Sequence, residues 1–248
     1  ELSQALDEGV EAHRLVTQET HDVYSFPLLN DEVCDRLCEE VEHFAASGLP
    51  ARRPNSMNRY GLILNEIGLR PSLDALQREV WPVARSLWPT EGESFDNHHS
   101  FCVSYKPDED RGLDMHTDDS DVTFNVCLGR AFAGAGLRFC GRFGDADHRR
   151  ARAVVAHEPG YALLHLGRQR HGADTIAAGE RVNLIVWARS SAFRAAAAFG
   201  HIDPDGYPPQ PEDGAPDRLC LSKTNDADYK RALEALDAAA AAEGGAAK

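Results

Sequence analysis

The 248 residues carry 40 acidic against 26 basic side chains, a formal net charge of −14, and 42% hydrophobic residues. That length supports one domain with a sizeable core, and the acidic balance argues against a general nucleic-acid or anionic-membrane surface, either of which needs a basic face. No run approaches the ~18 uninterrupted apolar residues of a membrane span, and the start has neither a basic nor an apolar leader segment.

Residues 30–46 read as a helix, with Asn30 or Asp31 as N-cap and Val33, Leu37, Val41 and Phe44 recurring at three- and four-residue steps. This spacing makes Cys34 and Cys38 neighbours on one face. Residues 52–61, RRPNSMNRYG, form a long polar loop of the kind that tends to be functional. A second helix follows Pro71, with Leu73, Leu76, Val80 and Val83 on one face, and Pro82 should kink or end it. From about residue 99 the period becomes that of strands, at 100–105, 121–128, 136–140, 151–157, 161–166 and 181–189. Short strands separated by Gly, Asp and Pro turns predict a jelly-roll-like sandwich or barrel, mainly β with flanking helices. Residues 203–217 read as an irregular linker, and a closing helix from Asp226 turns Tyr229, Leu233 and Leu236 inward. The chain thus divides into a helical support region packed on the core (1–98), the β core (99–195), and a linker with a C-terminal helix (196–248).

The six cysteines stand at 34, 38, 102, 127, 140 and 220 with no CxxC pair, mostly inside apolar runs. This predicts buried thiols without a disulfide framework, in a reducing intracellular compartment such as the cytoplasm. Because the chain begins at Glu1 and not at a methionine, it reads as an excised piece, and a targeting signal is not judged from it.

The most informative pattern is His116-Thr117-Asp118, with His171 following 55 residues after His116 and Arg181 ten further on. On a strand, residues two apart share a face, which suits adjacent metal ligands. With 11 histidines in the chain, about one His-x-Asp triplet is expected by coincidence, and a second one, His201-Ile202-Asp203, lies in the linker with no strand to orient it. His116 and Asp118 instead lie between two strands, His171 ends the apolar run 161–166, and Arg181 begins the last strand, so a hairpin returns both toward a common interior. Two imidazoles and one carboxylate leave half of an octahedral Fe(II) open, two positions for a chelating 2-oxo acid and one for dioxygen. Arg181 offers a planar fork for the distal carboxylate of 2-oxoglutarate.

Strand phase ranks further candidates. Thr123, Asn125 and Cys127 share one face, opposite Val122, Phe124, Val126 and Leu128. Buried Asn125 needs a partner, either a bound oxo acid or a neighbouring backbone group. Tyr105 directs its hydroxyl to the co-substrate or is an ordinary core tyrosine. Trp187 and Phe139 read as packing residues, and His165, Arg168 and Arg170 flank the third ligand, where they line the mouth of the site or belong to a solvated turn. His98, His99, His148 and His157 show no usable partner spacing.

The run Tyr105…His116-Thr-Asp118…Val122-Thr-Phe-Asn125…Gly134-Ala-Gly-Leu137-Arg-Phe139…Gly160-Tyr…His165…His171-Gly…Gly179-Glu-Arg181-Val-Asn-Leu-Ile-Val-Trp187 resembles the iron- and 2-oxoglutarate-dependent dioxygenases of the prolyl 4-hydroxylase superfamily. Within it the likeness is greatest to the 2-oxoglutarate and iron-dependent oxygenase domain-containing proteins, and more distant to the catalytic domain of procollagen lysyl hydroxylases. Tyr24-Ser-Phe-Pro27 and Arg53-Pro-Asn-Ser-Met-Asn58-Arg-Tyr-Gly61 extend it over roughly residues 20–195. The resemblance implies a double-stranded β-helix core, Fe(II), 2-oxoglutarate, O2 and often ascorbate. It implies hydroxylation of a C–H bond, with one oxygen atom going to succinate, on a peptidyl (prolyl or lysyl) or amino-acid-like substrate. It also implies His116, Asp118 and His171 as iron ligands and Arg181 as co-substrate anchor. Several prolyl hydroxylases add a tyrosine on the strand after HxD, where this chain has Cys127, which leaves the second anchor to Asn125 or Tyr105.

Three other readings stay open. One is a jelly-roll metal-binding or sensing module without turnover, and another a zinc hydrolase with a metal-bound water, for which no positioned general base is visible. The third, a nucleic-acid demethylase of the same superfamily, resembles a pattern with two arginines six apart on the last core strand, whereas Arg181 and Arg189 are eight apart.

Overall fold

The computed structural model describes residues 14–196, 216–224, 233–234 and 237–238. Its strands are β1 (Thr17–Thr20), β2 (Val23–Pro27), β3 (Gly61–Ile63), β4 (Asn97–Tyr105), β5 (Leu113–His116), β6 (Val122–Gly129), β7 (Phe132–Gly134), β8 (Leu137–Arg142), β9 (Ala153–Val155), β10 (Tyr161–Leu166), β11 (Gln169–Ala173), β12 (Ile176–Gly179) and β13 (Arg181–Arg189). Helices α1 (Asp31–Ala46) and α2 (Arg70–Leu87) precede the core, and a short α3 (Ser191–Ala195) follows it. A seven-stranded sheet runs β1-β2-β10-β6-β13-β4-β3, a four-stranded sheet runs β5-β11-β8-β9, and β12 pairs with β7. All pairings are antiparallel. This is the jelly-roll arrangement expected from the short strands. Residues before 98 contribute β1, β2 and β3 to the large sheet as well as the two helices.

The large sheet is covered on both faces, which explains why all eight residues of β6 are buried. Its outer face carries Val122, Phe124, Val126 and Leu128 of β6, Leu164 and Leu166 of β10, and Leu184 and Val186 of β13, packed with residues of α1 and α2. The inner face meets the small sheet through Phe101, Val103, Tyr105, Leu163 and Ile185 against Leu137, Phe139 and Ala173. By the period of two, Thr123, Asn125, His165, Arg181 and Asn183 also belong to that inner face. Each is at most 5% exposed. A polar row inside a core is costly unless it is satisfied or serves a ligand.

Several expectations are corrected. Asn30 caps α1, its side chain accepting from the Val33 amide, but the buried face is Cys34 and Cys38 with Leu37 and Val41 beside them, leaving Val33 39% exposed. Cysteine packs as a small hydrophobe, so the apolar stripe is rotated from that drawn through Val33. α2 does not end at Pro82; it continues to Leu87, with Val80, Val83 and Ala84 in the core. That burial outweighs the ~3 kcal/mol an interior proline costs. Cys140 and Cys220 are joined in a disulfide, against the expectation of free thiols, with Cα atoms 6.0 Å apart. The bond forms because the 216–224 segment returns across β8 and β5, where Asp114 Oδ2 accepts from the Lys223 and Thr224 amides and from the Ser222 and Thr224 hydroxyls. Cys34, Cys38, Cys102 and Cys127 are buried thiols as expected. The linker, apart from residues 216–217, and the His201–Asp203 triplet lie outside the described residues, as does most of the closing helix, of which Leu233 is exposed rather than inward. Among the described residues no helix is long and apolar enough to cross a membrane.

Candidate active site

His116 ends β5, and Asp118 sits two residues on, in the loop before β6. The loop is fastened by two backbone bonds, Asp118 N–H to the Gly167 carbonyl (2.8 Å) and Gly167 N–H to the Asp121 carbonyl (3.1 Å). A β-carbon at Gly167 would collide with the Ser120 carbonyl, so only glycine permits this approach. His171 lies inside β11, not at the end of the 161–166 strand, and pairs directly with His116 across the ladder. One ligand atom from each of His116, Asp118 and His171 falls within 4.8 Å of the others. Nε2 of His116 stands 3.4 Å from Asp118 Oδ1, and Nε2 of His171 stands 3.6 Å from Asp118 Oδ2.

The surroundings fix these donors for a cation. His116 Nδ1–H donates to the Asp114 carbonyl at 2.8 Å and His171 Nδ1–H to the Gln169 carbonyl at 2.9 Å. Each Nε2 lone pair is therefore turned toward Asp118, the arrangement that metal-ligating histidines adopt. Thr123 donates its hydroxyl to Asp118 Oδ2 at 2.7 Å and lies 2.7 Å from the Ser120 hydroxyl. Burial raises the Asp118 carboxyl, but the facing His171 and His116 outweigh it and hold it well below the usual range. Burial pushes His171 down to about 3, so both groups stand in their ligating forms at neutral pH. Two neutral imidazoles and one carboxylate suit a divalent first-row metal with open positions.

Arg181, first residue of β13 and cross-strand neighbour of Tyr105, is fully buried. Its Nε donates to Asn183 Oδ1 (2.9 Å), Nη1 to the Ala135 carbonyl, and Nη2 to His157 Nδ1 (3.2 Å). The central carbon of the guanidinium lies over the rings of Tyr105 and Phe132, 5.7 and 6.0 Å from their centres. Among the described residues no carboxylate pairs with this cation. Burial lowers its pKa, the expected response of a cation left without an anion. Asn125 is tied into the same network, its Oδ1 accepting from Asn183 Nδ2. The Tyr105 hydroxyl, raised by burial, accepts from Asn58 Nδ2 at 3.4 Å.

A cavity of about 30 Å³ is lined by the three metal-site residues together with Tyr105, Asn125, Asn58, Asn55 and Trp187. A larger one of about 340 Å³, also lined by Asp118, runs along Thr117–Asp121 with Glu91, Phe143, Arg168 and Phe193. Asn55 and Asn58 come from the 52–61 loop and Phe143 from the segment that follows β8. Arg168 lines the larger cavity, 3.5 Å from Glu91. Arg170 turns instead to the Cys220 carbonyl, and His165 is buried behind His171, their rings 4.5 Å apart, rather than at a mouth. Arg189 pairs with Asp119 and takes no part in the Arg181 cluster.

Sequence reasoning missed Thr123 as the hydroxyl that orients Asp118, and Asn183 and His157 as partners of Arg181. The first two carry a legible signal, a polar residue on the inner phase of a buried strand. His157 carries none, because it lies in the turn between β9 and β10 and meets Arg181 only through folding.

A family model described as an OGFOD2-like domain matches residues 1–93. The human "2-oxoglutarate and iron-dependent oxygenase domain-containing protein 2" is 41% identical over 175 residues, covering 69% of this chain and 50% of the relative. The human "multifunctional procollagen lysine hydroxylase and glycosyltransferase LH3" is 33% identical over 176 residues, covering 66% of this chain and 22% of the relative. Among solved structures, a Trichoplax adhaerens prolyl hydroxylase, in complex with a hypoxia inducible factor peptide fragment, superposes with a TM-score of 0.53. At 15% identity it covers 79% of this chain and 97% of its own, which establishes the shared fold. The chain spans about half the length of the first relatives it matches. The resemblance read from the sequence holds, in its motif-bearing core as in its N-terminal third.

Proposed function

From this likeness to the 2-oxoglutarate and iron-dependent oxygenase domain-containing proteins, we propose that the chain is an Fe(II)- and 2-oxoglutarate-dependent dioxygenase that hydroxylates a C–H bond of a peptidyl or amino-acid-like substrate. The observation that carries the reading is a pairing of two unfinished sites in one core: a His/Asp/His triad facing a common point, and a fully buried arginine with no carboxylate partner among the described residues. A buried cation without an anion is expensive, so a ligand carboxylate is the natural complement. A binding module with a structural metal has no need of the arginine.

His116, Asp118 and His171 would hold Fe(II), which supplies the site where dioxygen and the 2-oxo acid meet and oxidation of the substrate is coupled to decarboxylation. Thr123 and the two backbone carbonyls on Nδ1 keep those ligands oriented. Arg181 takes the distal carboxylate from behind the cavity wall, where its neighbour Tyr105 and, through Asn183, Asn125 line the space beside the triad. Asn58, which donates to the Tyr105 hydroxyl, lines that cavity as well. The larger cavity beside Asp118, with Phe143, Leu166 and Phe193 as its apolar walls, receives the substrate. Its volume accommodates one or two residues of an extended peptide, and the net charge of −14 disfavours a nucleic-acid substrate. Ascorbate would act as an accessory reductant.

Incubation of the protein with Fe(II), 2-oxoglutarate and a peptide library in air tests this. Succinate must form, and one peptide class must gain the mass of an oxygen atom. Succinate formation no faster than in protein-free buffer, with every peptide, refutes the proposal.

A further inference from the structure

His157 is 6% exposed and sits in the turn between β9 and β10, outside every motif that drew attention in the sequence. Its Nε2 lies 2.9 Å from the Tyr161 carbonyl, an acceptor only, so Nε2 carries the proton and Nδ1 is a lone pair. That lone pair faces Arg181 Nη2 and Asn183 Nδ2, each at 3.2 Å. Burial and the facing Arg181 cation push the imidazole down to about 3, so it stays neutral at physiological pH. Asn183 closes the ring by accepting from Arg181 Nε and donating to Asn125 Oδ1. Three of the five guanidinium N–H donors are thereby used by uncharged acceptors, and one remains on each terminal nitrogen.

We propose that His157 is a positioning residue for co-substrate binding: a neutral acceptor, fixed in one tautomer by the Tyr161 carbonyl, that orients Arg181 toward the distal carboxylate of a 2-oxo diacid without neutralising its charge. An aspartate or glutamate in this place would orient the guanidinium as well, but would pair with it and compete with the ligand. A leucine would leave the fork unrestrained on one side. Histidine does neither, and Asn183 and the Ala135 carbonyl share its neutral character. The residue never touches the co-substrate. It acts on affinity and on discrimination between diacids and monoacids, through Arg181.

The inference rests on the co-substrate reading of Arg181, and binding measured without turnover separates the two. Calorimetry of the Mn(II)-loaded protein in the absence of oxygen should show 2-oxoglutarate binding at least tenfold weaker to His157→Leu than to wild type. His157→Asn, whose Oδ1 can occupy the place of Nδ1, should bind within about threefold of wild type, and His157→Asp should bind worst of all while melting no lower than His157→Leu. Binding of 2-oxopentanoate, which keeps the five-carbon chain but lacks the distal carboxylate, should be the same in all four proteins. If His157→Leu weakens both acids equally, or if His157→Asp binds 2-oxoglutarate like wild type, the positioning role is overturned. Failure of wild type to prefer 2-oxoglutarate over 2-oxopentanoate overturns this inference together with the reading of Arg181. Normal binding without succinate formation counts against the oxygenase reading alone.

Discussion

Replacing Arg181 with methionine separates what the arginine does for the fold from what it does for a ligand. The side chain is fully buried and makes three hydrogen bonds, to Asn183, Ala135 and His157. Removing it strands those acceptors at about 1–3 kcal/mol each, yet also removes a buried unpaired cation whose desolvation costs several kcal/mol. Asn183 Nδ2 still reaches His157 Nδ1 in the variant, so part of the network survives. The terms offset, and the ligand-free variant should unfold within about 2 kcal/mol of wild type. Binding has no such offset. Removing one partner of a buried charge pair costs about 2–5 kcal/mol, or at least a thirtyfold loss in affinity for 2-oxoglutarate. Thermal or urea denaturation with Mn(II), with and without 2-oxoglutarate, reads both quantities. At a concentration 100 times the wild-type Kd, the wild type gains about 2.7 kcal/mol and the variant less than about 1 kcal/mol. Equal stabilisation of the two proteins would refute the argument that the buried cation waits for a carboxylate.

Gly167→Ala forces a β-carbon against the Ser120 carbonyl and should destabilise the protein by about 1–3 kcal/mol, with weaker metal binding because Asp118 hangs on the Gly167 carbonyl; an unchanged melt and metal affinity would show that the loop relaxes freely. Thiol titration in denaturant should find four reactive cysteines before reduction and six after, as the Cys140–Cys220 bond requires. That bond closes a separation of 80 residues, so reduction should lower stability by a few kcal/mol, up to ~4. Six thiols without reductant would contradict it. His157 is held near 3 in the folded protein, below its ordinary value of 6.5. The unfolded chain therefore binds the extra proton between those values, and stability present above pH 6.5 is lost as pH falls toward 3, by about 1.4 kcal/mol per pH unit at most from this group. His157→Asn should flatten the measured slope by up to one proton; an unchanged slope would mean that the imidazole is accessible to protonation.

Much of this was legible in the sequence because the chemistry and the strand period coincide. His116 and Asp118 stand out by position between strands, and Asn125 by being polar in the inner phase of an otherwise apolar strand. The jelly roll follows from short strands and turn residues. Tertiary contacts overrode local signals elsewhere. α2 passes through Pro82 because its later turns remain in the core, and α1 buries cysteines that a hydrophobicity stripe undervalues. Strands of three to five residues, such as β3, β5, β7 and β11, leave too little pattern to read, which is why the sequence puts His171 at the end of β10 rather than within β11. The disulfide joins cysteines 80 residues apart, and His157 meets Arg181 from a turn 24 residues before it, so neither has a local signature.

The central claim is that His116, Asp118 and His171 hold one Fe(II) with coordination positions left for a 2-oxo acid. Anaerobic addition of Fe(II) and then 2-oxoglutarate to the wild-type protein, followed by visible absorption, tests it directly. A weak metal-to-ligand charge-transfer band that appears only with both components, and disappears in Asp118→Ala, is the predicted result. No band in the wild type, or a band of full strength in Asp118→Ala, would contradict it.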